Sequence, residues 1–560
     1  MTVTIGQQPL VELAENERPG GPGVQVPLVG ALIQNPVLTG FHPEPSILRV
    51  GDDYYLATST FERAPGVALH HSRDLAHWRP IGGALEAAGL IDLLGVPDSG
   101  GVWAPDLSYA RGLFHLVFSN VRNRSGAFRD APSYVVTASS IEGPWSAPLP
   151  LPSRGFDPSL FHDEDGRDWL LSVYWDHRPG RDPFSGIVAQ EFDPVLGRAI
   201  GASTLVFGGT ELGVVEGPHL YQRDGWYYLV TAEGGTSYEH AVTVARSRSL
   251  LGPYEVHPTN PVVSSFDRLD LPLQKVGHAS LVEAVDGTWW MAALCARPLT
   301  PLGRCVLGRE TAILRVDWTD EGWPYVVGGV ARQQVSGLGV QPHPWPEAPA
   351  CDDFDRLELG PEWMGLRRTP TADWADLASR PGWLRITGGE SLGSTFRQAL
   401  VARRQQHHAC VAETVVEFAP DSFQQLAGLV HYYQTGLWHY LRVSCDDEGR
   451  RILGVLSCDH GRLEQPVADM SIEGWDRVHL RAEVRGSDLT FSYGPDGHRW
   501  SALGPVLDAS RLSDEYATVW RGLEAVSEGF TGAVLGLCVQ DLSGTGATAD
   551  FDSFTYRPLD

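Results

Sequence analysis

Five polar residues stand in this sequence at nearly even spacing, each just ahead of a strand-like run: Glu44, Asp106, Asp157, Glu216 and His278. Four are carboxylic acids and one is an imidazole. Carboxyl groups gathered in one site can divide the work of general acid and general base, because burial and like charges drive their pKa values apart. Glu44 is set between two prolines in Gly40-Phe41-His42-Pro43-Glu44-Pro45-Ser46. Proline fixes its own φ and pushes the preceding residue towards extended geometry, so the sequence predicts a stiff, extended mount for that carboxylate. Any one of the five, alone, reads as a structural polar residue. Their recurrence is what asks for chemistry.

The element that must position them is also repeated. Residues 47–56, 108–117, 159–171, 220–229 and 280–291 each read as an apolar strand, a turn and an aromatic-rich strand, with Asp-Gly at several turns. A shorter repeat trails three copies, at Ser72-Arg73-Asp74-Leu75, Ser140-Ile141-Glu142-Gly143-Pro144-Trp145 and Ser249-Leu250-Leu251-Gly252-Pro253-Tyr254. Five copies, each with room for four short strands, predict a five-bladed β-propeller over residues 33–332. In that architecture the innermost strands line a central channel. Equivalent offsets would bring the five polar residues together at one end of the axis.

The rest of the chain divides around this unit. Residues 1–32, with Pro19-Gly20-Gly21-Pro22-Gly23, read as a lead-in. Residues 333–350 carry Pro342, Pro344, Pro346 and Pro349 and read as an extended connector. From 351 to 560 the repeat stops, and alternating segments such as Ala412-Glu413-Thr414-Val415-Val416-Glu417-Phe418 predict a β-sandwich.

Composition narrows the partners. A chain of 560 residues needs more than one core, and 62 Gly and 40 Pro favour an all-β protein. The formal charge of −26 argues against nucleic acid and anionic membranes and leaves a neutral ligand open. Seven scattered cysteines indicate neither a zinc site nor a disulfide framework. Residues 1–9 lack a charged and then apolar leader, and no long apolar run occurs, so a cytoplasmic setting is the expectation. Asp163-Glu164-Asp165-Gly166 reads as a hairpin turn rather than a calcium loop.

Several segments together resemble glycoside hydrolase family 43, in its β-xylosidase and α-L-arabinofuranosidase branch with a C-terminal concanavalin A-like jelly roll. They are Gly40-Phe41-His42-Pro43, Thr58-Ser59-Thr60-Phe61-Glu62, Trp103-Ala104-Pro105, Asp157-Pro158-Ser159-Leu160-Phe161, Glu216-Gly217-Pro218-His219, Thr231-Ala232-Glu233-Gly234-Gly235-Thr236 and Leu307-Gly308-Arg309-Glu310-Thr311. Gly388-Gly389-Glu390-Ser391-Leu392 and Phe530-Thr531-Gly532-Ala533 extend the resemblance into the second domain. It implies an inverting, exo-acting hydrolase releasing β-D-xylose from xylo-oligosaccharides. The alternatives are an α-L-arabinofuranosidase and a sugar-binding propeller with little or no turnover.

By resemblance, Glu216 is the general acid, Glu44 the general base, and Asp157 the carboxylate that orients the acid and raises its pKa. Phe61, Trp103, Ala104, Thr236, His278, Arg309 and Phe530 fall where the family shapes its sugar subsite. The resemblance requires no cofactor, admits a calcium or other ion near His278, and implies a homo-oligomer, a dimer or tetramer, acting on a neutral oligosaccharide. Two positions depart from the family pattern. Glu44 stands where the family has Asp, and Arg63-Ala64 replace an apolar pair expected to wall the pocket mouth.

Overall fold

The computed structural model of the chain describes residues 31–87, 89–521 and 524–559, and every count and absence of partners is of those residues. The lead-in up to residue 30 lies outside them. Each sequence repeat forms one antiparallel sheet. The innermost strands are Ser46–Val50, Gly101–Ala110, Ser159–His162, Glu216–Arg223 and Gln274–Glu283, and each is followed outward by its neighbours in chain order. Four blades have four strands, and the fourth blade carries a fifth short strand, Val263–Ser264.

Alternating apolar residues give each blade two buried faces, and a separate apolar cluster fills each gap between neighbours. Val67, Leu69, Leu107 and Leu116 join blades one and two. Val117, Leu160 and Leu170 join two and three. Leu171, Val173 and Leu229 join three and four. Val230, Val244, Leu281 and Leu314 join four and five. Ile47, Leu56, Trp290 and Ile313 close the ring from five back to one.

The ends of the propeller segment are tied by Leu32–Gln34, which pairs antiparallel with Gln334–Ser336. Residues assigned from sequence to the lead-in and to the connector therefore belong to one small sheet. The connector is also packed rather than free-standing. Leu338 is buried, the His343 N–H donates to Asp74 Oδ2 at 2.7 Å, and the Arg79 guanidinium lies 4.1 Å from the Trp345 ring. An extended proline-rich segment can lie along a surface because its unpaired carbonyls still reach water or side chains.

Residues 351–559 form two large antiparallel sheets around one core containing Leu384, Ile386, Val401, Leu429, Leu441, Leu480, Phe491, Leu537 and Phe551. The edge of one sheet is supplied by the propeller. Arg63–Ala64 pairs with Met364–Leu366, placing Ala64 opposite Gly365 and Arg63 opposite Leu366.

That pairing corrects the expectation for Arg63 as a cation at the pocket mouth. Arg63 is 2% exposed, donates from Nη2 to the Gly532 carbonyl at 2.8 Å, and lies 5.2 Å from the Phe41 ring. The small side chain at 64 lets the strands meet, and the arginine satisfies carbonyls of the second domain. This departure in sequence serves domain docking.

Candidate active site

Left-handed backbone marks one equivalent position in every blade: Glu44 (φ 56°), Ala104 (φ 39°), Asp157 (φ 53°), Gly217 (φ 56°) and His278 (φ 36°). Four of these five precede a proline. Proline should push them to extended geometry, and non-glycine residues rarely adopt positive φ at all. The predicted extended mount at Glu44 is therefore not what forms. Tertiary hydrogen bonds to the turned-in groups outweigh the local preference, as is common where backbone strain is kept at a functional site. Irregular register beside Trp103, Glu216 and Gly277 marks the same level of blades two, four and five as bulged, which re-aims side chains.

This ring corrects the sequence alignment of the blades. The residue of blade two at the level of Glu44 is Ala104, and that of blade four is Gly217. Glu216 sits one residue earlier, and Asp106 two residues later. Asp106 instead belongs to a second polar ring below the first, made by Ser46, Asp106, Ser159, His219 and Ser280. There it accepts from Ser46 Oγ at 3.1 Å and from the Leu160 N–H at 2.8 Å, and lies 3.2 Å from His219 Nδ1. Asp106 is thus a tie between blades.

At the upper ring the carboxyl groups are held distinctly. Glu44 is 8% exposed and engages partners through both oxygens. Its Oε1 accepts from Arg309 Nη1 at 2.9 Å, and its Oε2 accepts from Ser59 Oγ and from the Ala104 N–H at 3.1 Å. The same Ala104 N–H also reaches Ser59 Oγ at 2.7 Å. Ala104 thus contributes its backbone, for which a small side chain suffices. Arg309 is almost fully buried and links three elements, donating also to Thr236 Oγ1 at 2.9 Å and to the Phe530 carbonyl at 2.8 Å.

Asp157 accepts from the Gly217 N–H at 3.1 Å, which couples it to the backbone beside Glu216. Burial pushes the Glu216 carboxyl up to about 8, and the charge of Glu44 adds to that, partly offset by Arg309. Asp157 is also raised well above the usual range, first by burial and then by Glu216 and Glu44. Asp157 and Glu216 repel one another inside the same buried site, so each carboxyl favours the protonated form of the other. Three carboxyl groups face one guanidinium, so the cluster favours holding protons at neutral pH.

Aromatic rings form the wall. Trp103 lies 5.7 Å from Phe61, 5.7 Å from Phe156 and 6.0 Å from Phe530, and its Nε1 donates to the Ser99 carbonyl at 3.1 Å. Phe61, at φ 56°, is buried and fixed by mutual bonds with Val102. The Arg309 guanidinium stands 5.3 Å from Phe61 and 5.5 Å from Phe530, within cation–π range of both. His278 packs against Gly217, where a Cβ would come within 2.8 Å of the imidazole. Burial and the neighbouring His219 and Arg309 keep it neutral.

No group of three His, Cys, Asp or Glu side chains that could hold a metal ion occurs among the described residues. All ten residues implicated by the resemblance fall at or beside the upper ring. Sequence reasoning missed Ser59, Ser99, Arg124 and Glu528. Ser99 joins three walls: its N–H donates to Glu62, its Oγ accepts from the Phe530 N–H, and its carbonyl takes Trp103. Arg124 lies 4.6 Å from the Phe530 ring and donates to the Glu528 carbonyl. Ser59 lay inside a recognised segment, but nothing in its spacing marked it as a partner of Glu44.

A propeller whose axis gathers three carboxyl groups, two of them with raised pKa, beside an aromatic wall has the equipment of an enzyme that cleaves glycosidic bonds. Residues 33–324 match Glycosyl hydrolases family 43, and residues 351–557 match the Beta xylosidase C-terminal Concanavalin A-like domain. The chain belongs to glycoside hydrolase family 43.

It is 46% identical over 544 residues to Xylosidase/arabinosidase 43B of Humicola insolens, spanning 94% of this chain and 98% of that protein. It is 44% identical over 539 residues to the Xylan 1,3-beta-xylosidase of a Vibrio species, spanning 94% and 99% respectively. The crystal structure of the xylan beta-1,4-xylosidase from Bacillus halodurans superposes with a TM-score of 0.91 at 46% identity, covering 94% of this chain and all of that one. The second domain is accordingly a concanavalin-like sandwich.

Proposed function

We propose that this chain is an exo-acting, inverting glycosidase that removes terminal β-D-xylose from xylo-oligosaccharides, with Glu216 as general acid, Glu44 as general base and Asp157 orienting the acid. The observation that carries this reading is the asymmetry of the carboxyl groups. Glu216 is kept protonated, whereas Glu44 is paired with Arg309 and hydrogen-bonded through both oxygens. Water then attacks the anomeric carbon from one face while the bond to the leaving oxygen breaks on the other. Glu44 takes the proton from water, and Glu216 gives its proton to the leaving oxygen. Exchange with solvent resets both groups.

Phe530 of the sandwich accepts from Arg309 through its carbonyl and packs its ring beside Trp103, a wall from the second domain that supports a chain end over a chain interior as substrate. Arg309 and the aromatic wall position the terminal sugar. The same proposal includes a neutral oligosaccharide partner, a homo-oligomer and a cytoplasmic setting. An α-L-arabinofuranosidase is the second reading, favoured by a relative whose name covers both activities.

Parallel assays with aryl β-xyloside and aryl α-arabinofuranoside separate the two, with faster xyloside hydrolysis expected. No turnover of either, together with measurable oligosaccharide binding, would select the non-catalytic alternative. Because both oxygens of Glu44 are matched to partners, the site is built for glutamate. Glu44→Asp is expected to lower kcat by on the order of 10²-fold, as a displacement of about 1 Å does. A gain would show instead a weakened aspartate site.

A further inference from the structure

The segment that presents Phe530 to Trp103 and Arg309, residues 528–533, is held from two sides. On the propeller side, the Phe530 N–H donates to Ser99 Oγ at 3.0 Å, its carbonyl takes Arg309, and the Ala533 N–H donates to the Val306 carbonyl at 2.9 Å. On the sandwich side, the Thr531 N–H donates to the Tyr433 hydroxyl at 3.3 Å, and the Gly529 N–H reaches Thr518 Oγ1 at 3.4 Å. A Cβ on Gly529 would collide with that hydroxyl, so glycine permits the approach.

The sandwich-side bonds lead to one turn of helix, Asp514–Ala517, capped by Ser513. Tyr433 is fully buried and donates its hydroxyl to Asp514 Oδ1 at 2.5 Å, and Thr518 Oγ1 donates to the Asp514 carbonyl at 2.8 Å. The next residue, Glu515, faces the propeller. Its Oε1 takes the buried Lys275 ammonium, and its Oε2 accepts from the Cys305 N–H at 2.8 Å. Lys275 lies three residues before His278, and Cys305 opens the turn, closed by the Gly308 N–H, that leads into Arg309. Adjacent carboxylates in a buried joint are costly: burial raises Asp514 to about 6 even though Lys275 opposes it. An apolar contact would join the domains without that cost.

We infer that Tyr433, Asp514 and Glu515 are positioning residues for the sugar subsite, a clip that sets the Phe530 segment against the loop carrying Arg309. Asp514 acts through Tyr433 on the Thr531 peptide. Glu515 acts through Cys305 and Lys275 on the blade-five side. Between the two, Arg309 Nη2 meets the Phe530 carbonyl at 2.8 Å, which leaves Nη1 for Glu44. The inference rests on the reading that Arg309 and Phe530 hold the terminal sugar.

Hydrogen exchange of the full chain, read by mass spectrometry, tests the clip without any substrate. Tyr433→Phe removes the acceptor of the Thr531 N–H. Exchange in residues 528–533 should rise by about 3- to 10-fold, the worth of one hydrogen bond, while the core strands keep their protection. Asp514→Ala should do the same, and Asp514→Asn, which keeps an oxygen for the Tyr433 hydroxyl, should restore most of the protection. In steady-state kinetics Tyr433→Phe should raise KM for xylo-oligosaccharides by a similar factor and change kcat by less than about 2-fold. Unchanged exchange in residues 528–533, a rise spread over the whole sandwich, or a local rise with KM unaltered would each overturn the positioning role. Should Tyr433→Phe fail to fold, Glu515→Ala replaces it, with faster exchange expected at Cys305 and unchanged exchange there refuting the clip. If the wild type turns over no xyloside, the proposed activity fails and exchange alone decides the clip.

Discussion

Glu216 shows how environment sets a carboxyl's task. Its pKa near 8 comes from burial first and the Glu44 charge second, so the protonated acid persists through neutral pH. Activity should fall as pH rises past about 8, and a pH–rate profile measures that limb. Glu216→Gln should remove the limb and lower turnover of xylo-oligosaccharides by about 10²- to 10⁴-fold, with less effect on substrates having good leaving groups. The same residue links stability to pH. Its folded pKa is raised, so the folded state binds the extra proton between the ordinary carboxylate range and about 8. Its stabilising contribution is present at low pH and is lost as pH rises through that window. Thermal midpoints measured across the window should decline with pH in the wild type and decline less in Glu216→Gln.

At the level of the element, the unit that builds the site is a left-handed residue before a proline, repeated at one ring of the propeller. The repetition explains why residues as different as Glu44, Ala104 and Asp157 share a backbone conformation while doing different work. Ala104 contributes only an N–H to Glu44 and Ser59, so its side chain should matter through φ alone. Ala104→Gly should leave stability within about 1 kcal/mol of wild type, since glycine accepts positive φ. Ala104→Val should destabilise by about 1–3 kcal/mol and lower kcat, because a β-branched residue resists φ 39°. Urea unfolding and steady-state kinetics on the two variants provide the comparison.

At the level of the whole molecule, the two domains are tied together around the candidate site. The propeller lends Arg63–Ala64 to a sandwich sheet, and the sandwich returns the Phe530 carbonyl to Arg309. Two further ties surround the funnel: Arg367 donates to Asp98 Oδ1 at 2.8 Å, and the buried Lys275 pairs with Glu515. A propeller expressed alone, residues 31–350, would expose the apolar and charged surface around Arg63 and leave Arg309 short of one acceptor. Its kcat/KM is expected to fall by at least on the order of 10²-fold relative to the full chain, and light scattering should show association. Full activity of the isolated propeller would separate the sandwich from catalysis.

Much of this was legible in the amino-acid order because the signals are local or repeated. Strand–turn–strand copies announce five blades, alternating segments announce the sandwich, and carboxyl groups before the repeats announce acid–base chemistry. Other features belong to tertiary structure. Sequence reasoning aligned Asp106 and Glu216 with Glu44, but the bulges at Trp103 and Glu216 shift the register, and only the closed ring shows which residue stands at each level. The extended form predicted for Glu44 gives way because partners from residues 59, 104 and 309 bind a turned-in carboxylate. Arg63, read from sequence as a pocket cation, is buried because its partner strand comes from some 300 residues further along the chain. Residue type and period are properties of the chain by itself. Which groups meet, and therefore which proton stays where, is settled when five blades close and a second domain packs over them.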